Sequence, residues 1–253
     1  VAGALLAGTA AAATLVLVHG PSQVSPSERA RAGAAARALA PEQLPPSTTY
    51  GLPAGATVLA TVKKTIARYA GPAGAPMGTI EPTWHGAELT TPVIAEHGAF
   101  LEIRLPQRPN ETTAWVRKST VALSWTAYRI VVDERTTKLT LEEDGRAIDT
   151  FPAGIGSPVD PTPTGTYFVA YLAKPPSSGY GPFVIVTSAH SDVIADWNNS
   201  GDAEIAIHGP LGADTAIGTD GARVSHGCIR LHVVDLDVLR RVPIGTPVDI
   251  ESD

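Results

Sequence analysis

Ser225-His226-Gly227-Cys228-Ile229-Arg230-Leu231 is the stretch on which the reading of this 253-residue chain turns. It holds the only cysteine, and a second His-Gly pair, His208-Gly209, stands twenty residues before that thiol. A lone cysteine has no intramolecular disulfide partner, so it is either packing material or chemistry. The neighbours favour chemistry. Gly227 lets backbone amides approach a reacting carbonyl, and His226 lies two residues before the thiol. Nucleophilic cysteine catalysis needs a thiolate, a base or imidazolium to produce it, and N–H donors for the oxyanion. This run and His208 supply candidates for each. Zinc is the other sharp reading, because Cys228, His208, His226 and His232 are all possible ligands. Zinc-binding cysteines usually come in pairs at short spacing and this chain has one, so no metal and no other cofactor is expected.

Outward from this run, the second half of the chain reads as strands. Tyr128–Asp133 alternates, and Lys138–Glu142 and Ala147–Phe151 flank Asp144-Gly145, a strong hairpin signal because glycine takes positive φ at no steric cost. Glu142, Glu143 and Asp144 sit at that hairpin tip, where charge is the default, and are not assigned a function. Gly154-Ile155-Gly156 lacks a third glycine and a following helix, which argues against a dinucleotide site. The Pro- and Gly-rich stretch from Asp160 to Thr166 reads as a rigid turn. Lys174-Pro175-Pro176-Ser177-Ser178-Gly179-Tyr180-Gly181 is too long and too rich in Pro, Ser and Gly for a hairpin turn; loops of that kind often cover a site. Phe183–Val186 and Glu204–Ile207 are buried strands, the second delivering His208 at its end. Val233, Leu236, Leu239 and Val242 repeat on a helical period that Pro243 closes, and Pro247–Ile250 is a last strand.

Ser-His-Gly-Cys preceded by a His-Gly pair resembles the signature of the L,D-transpeptidases of bacterial cell walls, the YkuD-type catalytic domain. The likeness runs from about Ala127 to Ile250, and the turn Thr162-Pro163-Thr164-Gly165 matches it too. It implies a mainly β fold: a C-terminal β-sandwich at residues 126–253, whose cradle holds the Cys and His, with one short helix near the nucleophile. It implies acyl transfer on peptidoglycan stem peptides through a thioester at Cys228. D-Ala would leave and an amine on a neighbouring stem would form a 3→3 cross-link. His208, at the strand end, is the expected general base, with His226 the second choice, there to orient the site or bind substrate. The amides of Gly227 and Cys228 are the expected oxyanion donors, with Gly209 nearby. Ser225 supports the loop, Tyr180 of the lid is suited to stacking on a stem peptide, and Arg230 offers a planar fork for a substrate carboxylate or for a buried ion pair. A thiol beside a histidine is expected to be more acidic than a free one. Carbapenem β-lactams are the implied inhibitors. Hydrolysis instead of cross-linking, attachment of wall proteins, and a catalytically inactive wall-binding module stay open at this point.

The first half reads differently. Val1 to Val18 is eighteen residues without a charge, near the lower limit for a membrane span; residues 1–20 are expected to be an anchor or a signal segment, giving single-span membrane association and an extracytoplasmic location in the cell envelope. Residues 21–47, rich in Ala and Pro, read as a spacer. Residues 48–125 hold short strands, among them Thr57–Val62 and Phe100–Leu105, and Arg104–Asn110 followed by Ala114–Arg117 resembles the end of an SH3-like module. Trp84 and His85 are either core or the lining of a ligand groove in that module. Composition agrees with β-rich units: 17% charged residues, 24 glycines and 22 prolines suit many turns better than long helices. A net charge of -6, with no Lys/Arg cluster, excludes nucleic acid as a partner.

Overall fold

The structure, a computed structural model, describes residues 42–43 and 51–252, apart from 73 and 220. The anchor or signal expected over residues 1–20 and the spacer expected over 21–47 lie outside the described residues, save for two positions. Among the described residues no helix is long and apolar enough to cross a membrane.

Short alternating runs closed by Gly and Pro pair as antiparallel strands, and the first half consists of them. In chain order they are β1 (Glu42–Gln43), β2 (Thr57–Val62), β3 (Ile66–Tyr69), β4 (Pro76–Ile80), β5 (Thr83–Trp84), β6 (Ala87–Glu88), β7 (Thr90–His97), β8 (Phe100–Arg104), β9 (Thr113–Arg117) and β10 (Val121–Thr126). Eight of them form a sheet in the order β1-β10-β2-β7-β8-β9-β3-β4, while β5 and β6 make a separate hairpin. Leu101 and Ile103 of β8 and Ala114 and Val116 of β9 point into one core with Ala60, Val62 and Ile66, as a period of two requires. The SH3-like assignment of this sheet remains a proposal, as does the division at residues 125/126.

Only Ala127 separates β10 from β11 (Tyr128–Asp133), so the second sheet begins where the first ends. It continues through β12 (Lys138–Glu143), β13 (Arg146–Pro152), β14 (Ile155–Gly156), β15 (Gly165–Ala173), β16 (Val184–His190), β17 (Glu204–His208), β18 (Arg223–Ser225), β19 (Ile229–Arg230) and β20 (Pro247–Glu251). Eight strands lie in the order β13-β12-β11-β20-β15-β16-β17-β19, with β14 and β18 paired to one side. The fold is mainly β, as expected. Asp144 and Gly145 both take positive φ, 52° and 70°, which is the hairpin turn anticipated between β12 and β13. Among the described residues one α-helix is present, α1 (Val233–Val238), which is cut shorter than the apolar period suggested and runs on as a 3-10 turn over Leu239–Arg241. Leu236, Leu239 and Val242 are buried in the core, while Val233, in the first turn, faces solvent.

One connection positions the site. β17 and β19 are parallel, with Ile207 opposite Ile229 and His208 opposite Arg230. Parallel neighbours need a long crossover, and residues 209–228 supply it, returning the chain so that Cys228 arrives beside the strand that carries His208.

Candidate active site

β17 alternates. Ile205 and Ile207 enter the main core, so Glu204, Ala206 and His208 share the other face. On that face Ala206 packs in a smaller cluster with Val184, Val186, Tyr180 and Cys228. Tyr180, Glu204, His208, Ser225, His226, Cys228 and Arg230 line one cleft, together with Ser191, Ile194, Trp197 and Leu211. Cys228 is the only free thiol and is partly buried.

His208 is 2% exposed. Its Nδ1 lies 2.7 Å from the carbonyl oxygen of Gly209. A carbonyl only accepts, so Nδ1 carries the hydrogen and donates it, and Nε2 holds a lone pair. Burial pushes the imidazole down to about 4, with the Arg230 charge adding to the fall against the opposing Gly209 bond. Tyr180 lies over the ring, centroids 4.5 Å apart. Gly209 is held in place from the loop at residues 174–181: its N–H donates to the Tyr180 carbonyl at 2.8 Å, and a Cβ there would stand 2.8 Å from the Gly181 nitrogen and the Tyr180 carbonyl carbon.

The Cys228 turn is tied from beneath. Gly227 has φ of 112°, a conformation that L side chains rarely adopt, and its N–H donates to Ser225 Oγ at 3.1 Å. Ser225 Oγ donates in turn to the Cys228 carbonyl at 2.6 Å. Thr162 Oγ1 donates to the Gly227 carbonyl at 2.8 Å and accepts from the Gly156 N–H at 2.9 Å. Burial raises the Cys228 thiol above its ordinary value, against smaller opposing effects of the Ala206 amide and Arg230. Thiol and imidazole are thus both held neutral.

Two expectations change. The amides of Gly227 and Gly209, expected at or near an oxyanion hole, are committed to Ser225 and to Tyr180, which leaves the Cys228 amide from that set. The thiol, expected to be acidified by a histidine, is raised, because desolvation outweighs a partner that is itself uncharged.

His226 points outward, its side chain 59% exposed, with Nε2 3.7 Å from Asp160 Oδ2 and its ring 5.1 Å from that of Trp197. Arg230 makes no ion pair among the described residues, where the buried pair held open for it is not seen, and its Nε is buried without a hydrogen-bond partner there. His232 lies 3.3 Å from Asp214 and off the cleft. Among the described residues no group of three His, Cys, Asp or Glu side chains is placed to hold a metal.

The sequence reading missed Thr162, filed as plain turn, and Glu204, Ser191, Ile194 and Trp197 in the cleft wall. A signal existed for Glu204, a charge opening an otherwise apolar buried strand. For the wall segment, which has no periodicity, there was none.

The cleft thus brings together a thiol, a histidine oriented through its Nδ1, and a guanidinium that makes no ion pair among the described residues. Residues 127–250 match the family described as the L,D-transpeptidase catalytic domain, YkuD. The YkuD protein of Bacillus subtilis (strain 168) is 28% identical over 124 residues, 49% of this chain. Its counterpart in Bacillus licheniformis is 29% identical over the same share. The chain spans 65% of the length of each relative. Among solved structures, an L,D-transpeptidase from Mycobacterium tuberculosis H37Rv aligns with 90% of this chain and 85% of its own, at 19% identity and a TM-score of 0.43. An LD transpeptidase solved in complex with imipenem aligns with 77% of this chain and 82% of its own, at 18% identity and a TM-score of 0.39.

Proposed function

We propose that this protein is a cysteine-dependent L,D-transpeptidase that joins peptidoglycan stem peptides by 3→3 cross-links in the cell envelope, outside the cytoplasm. The observation that carries the reading is the tautomer of His208: with Nδ1–H spent on Gly209, the basic Nε2 belongs to a residue of the same cleft as the Cys228 thiol.

In this mechanism the resting pair is neutral. His208 Nε2 takes the Sγ proton as the thiol attacks the carbonyl of the third stem residue, and charge builds on the carbonyl oxygen, where the Cys228 amide is the donor left free for it. The C–N bond breaks, His208 returns the proton to the departing D-Ala nitrogen, and a thioester remains on Cys228. An amine of a second stem then attacks the thioester. Base catalysis of this kind contributes about 10²–10⁴ in rate. Arg230, unpaired beside the thiol, receives a substrate carboxylate through its fork. Tyr180 covers His208 and closes the lid side, while Ser225, Gly227 and Gly209 hold the two reacting side chains in place. His226, outside the pair, lines the entrance and orients substrate. The same thiol is expected to open a strained β-lactam carbonyl, which makes carbapenems inhibitors.

The test is incubation with disaccharide-tetrapeptide and mass analysis of the products. Cross-linked dimer with loss of D-Ala is the expected result. Tripeptide alone makes the protein an L,D-carboxypeptidase, and no product from folded protein makes it a wall-binding module.

A further inference from the structure

Trp84 and His85, the pair the sequence marked as either core or groove, reach into the catalytic half. Trp84 packs on the first core, yet its Nε1 donates to Glu204 Oε1 at 2.9 Å. His85 Nε2 lies 3.4 Å from the same oxygen, and the Tyr171 hydroxyl donates to Oε2 at 2.8 Å. His85 and Gly86 form the two-residue tip of the β5–β6 hairpin with φ of 46° and 82°. Such a turn favours Asn or Gly at the first of these positions; a histidine there departs from the local rule, and such departures concentrate at working sites. Its ring is set 5.3 Å from that of Tyr171.

Glu204 is the other end of the face that carries His208. They lie four positions apart, about 13 Å along the strand, with Ala206 and its neighbour Cys228 between. Arg230 stands opposite His208 across the β17–β19 pairing, so the cleft has a cationic end and an anionic end on either side of the thiol. The carboxylate stays charged: its three donors outweigh the opposing effect of burial. A carboxylate has about four acceptor positions, and the three donors leave room for one more.

We infer that Glu204, held by Trp84 and His85 of the first half and Tyr171 of the second, is the subsite that receives the ammonium group of the acceptor. The inference rests on the transpeptidase reading and adds to it where the second substrate enters. The acceptor arrives protonated beside Glu204. One of its protons goes to solvent, the amine nitrogen bonds to the thioester carbon, the C–S bond breaks, and a second proton passes through His208 to the Cys228 sulfur, leaving an amide and a free thiol.

The test uses the full chain and separates the two half-reactions. Gln at position 204 keeps an acceptor for Trp84 and a polar partner for Tyr171 while removing the charge. Glu204→Gln is expected to raise the KM for an amine acceptor at least about tenfold. Acylation by donor, hydrolysis, and capture of the thioester by hydroxylamine, which is uncharged at neutral pH, should stay within about twofold. An unchanged acceptor KM, or an equal loss in hydroxylamine capture, would overturn the inference. A second measurement needs no variant: an acceptor trimethylated on its amine should compete with the amine acceptor in the unsubstituted protein, and its uncharged acetylated counterpart should not. Equal competition by both also overturns it. Absence of any acylation in the unsubstituted protein would remove the transpeptidase reading, and the acceptor subsite with it.

Discussion

His208-Gly209 and His226-Gly227 are the same dipeptide in two physical settings. The first closes a buried strand: its histidine is desolvated, tied by Nδ1 to the next carbonyl and covered by Tyr180. The second sits in a turn whose histidine leans into solvent towards Asp160, while its glycine bends the backbone to present Cys228. The glycines differ as well. Gly209 is required because the Tyr180–Gly181 backbone leaves no room for a Cβ, Gly227 chiefly because its φ is positive. A dipeptide does not carry a role; burial and the partner of the second ring nitrogen do.

The thiol both pairs serve should show the largest effect. Cys228→Ser is expected to lower turnover by at least about 10³-fold, since a hydroxyl is far harder to deprotonate, with the melting temperature unchanged; near-normal rates in the serine variant would end the nucleophile assignment. Next come the glycines. Gly209→Ala and Gly227→Ala should each cost about 1–3 kcal/mol of stability, measured by denaturant melts. They should part in one respect: only Gly209→Ala, which displaces Tyr180, should alter the quenching of Tyr180 by His208. Thr162→Val strands the Gly227 carbonyl and the Gly156 amide in a buried site and is expected to lose about 1–3 kcal/mol for each, with activity falling because the Cys228 turn loosens.

The smallest of these effects concern pH. With the thiol raised, alkylation of Cys228 by iodoacetamide should climb without a plateau through neutral pH and beyond the ordinary thiol range near about 8.5; a plateau below pH 7 would show a resting ion pair. For stability the sign follows from His208, whose folded value of about 4 lies below the unfolded one near about 6.5. The unfolded state binds the proton first as pH falls, so the contribution is whole above about pH 6.5 and is lost on the way down through pH 4, roughly 3 kcal/mol in all. His208→Gln should flatten that part of the acid profile.

Strand runs such as Phe100–Arg104 and Lys138–Glu143, the Asp144-Gly145 turn and the Cys228 run were legible because their signals are local: period two, positive φ, and residue types side by side. What escaped depended on distant partners. Trp84 meets Glu204 across 120 residues, and Asn110 pairs its side-chain amide with both backbone groups of His190 across 80. Beside it Arg108 grips Asp202 and the carbonyls of Ser191 and Ile194, fixing a wall segment that no periodicity announces. The glycine part of the oxyanion expectation changed for the same reason, since only the folded backbone shows that Ser225 and Tyr180 have already taken the Gly227 and Gly209 amides, leaving that of Cys228. The acidity of Cys228 was misread because proximity to histidine is visible in sequence and desolvation is not.

The central claim is that His208, not His226, works on the Cys228 proton. Intact-mass measurement of the rate at which a carbapenem acylates Cys228, made side by side on the unsubstituted protein, His208→Gln and His226→Gln, tests it most directly. The account predicts a fall of at least about 10²-fold for His208→Gln and a change within about fivefold for His226→Gln. A large loss at His226 with His208→Gln near the unsubstituted rate would contradict it.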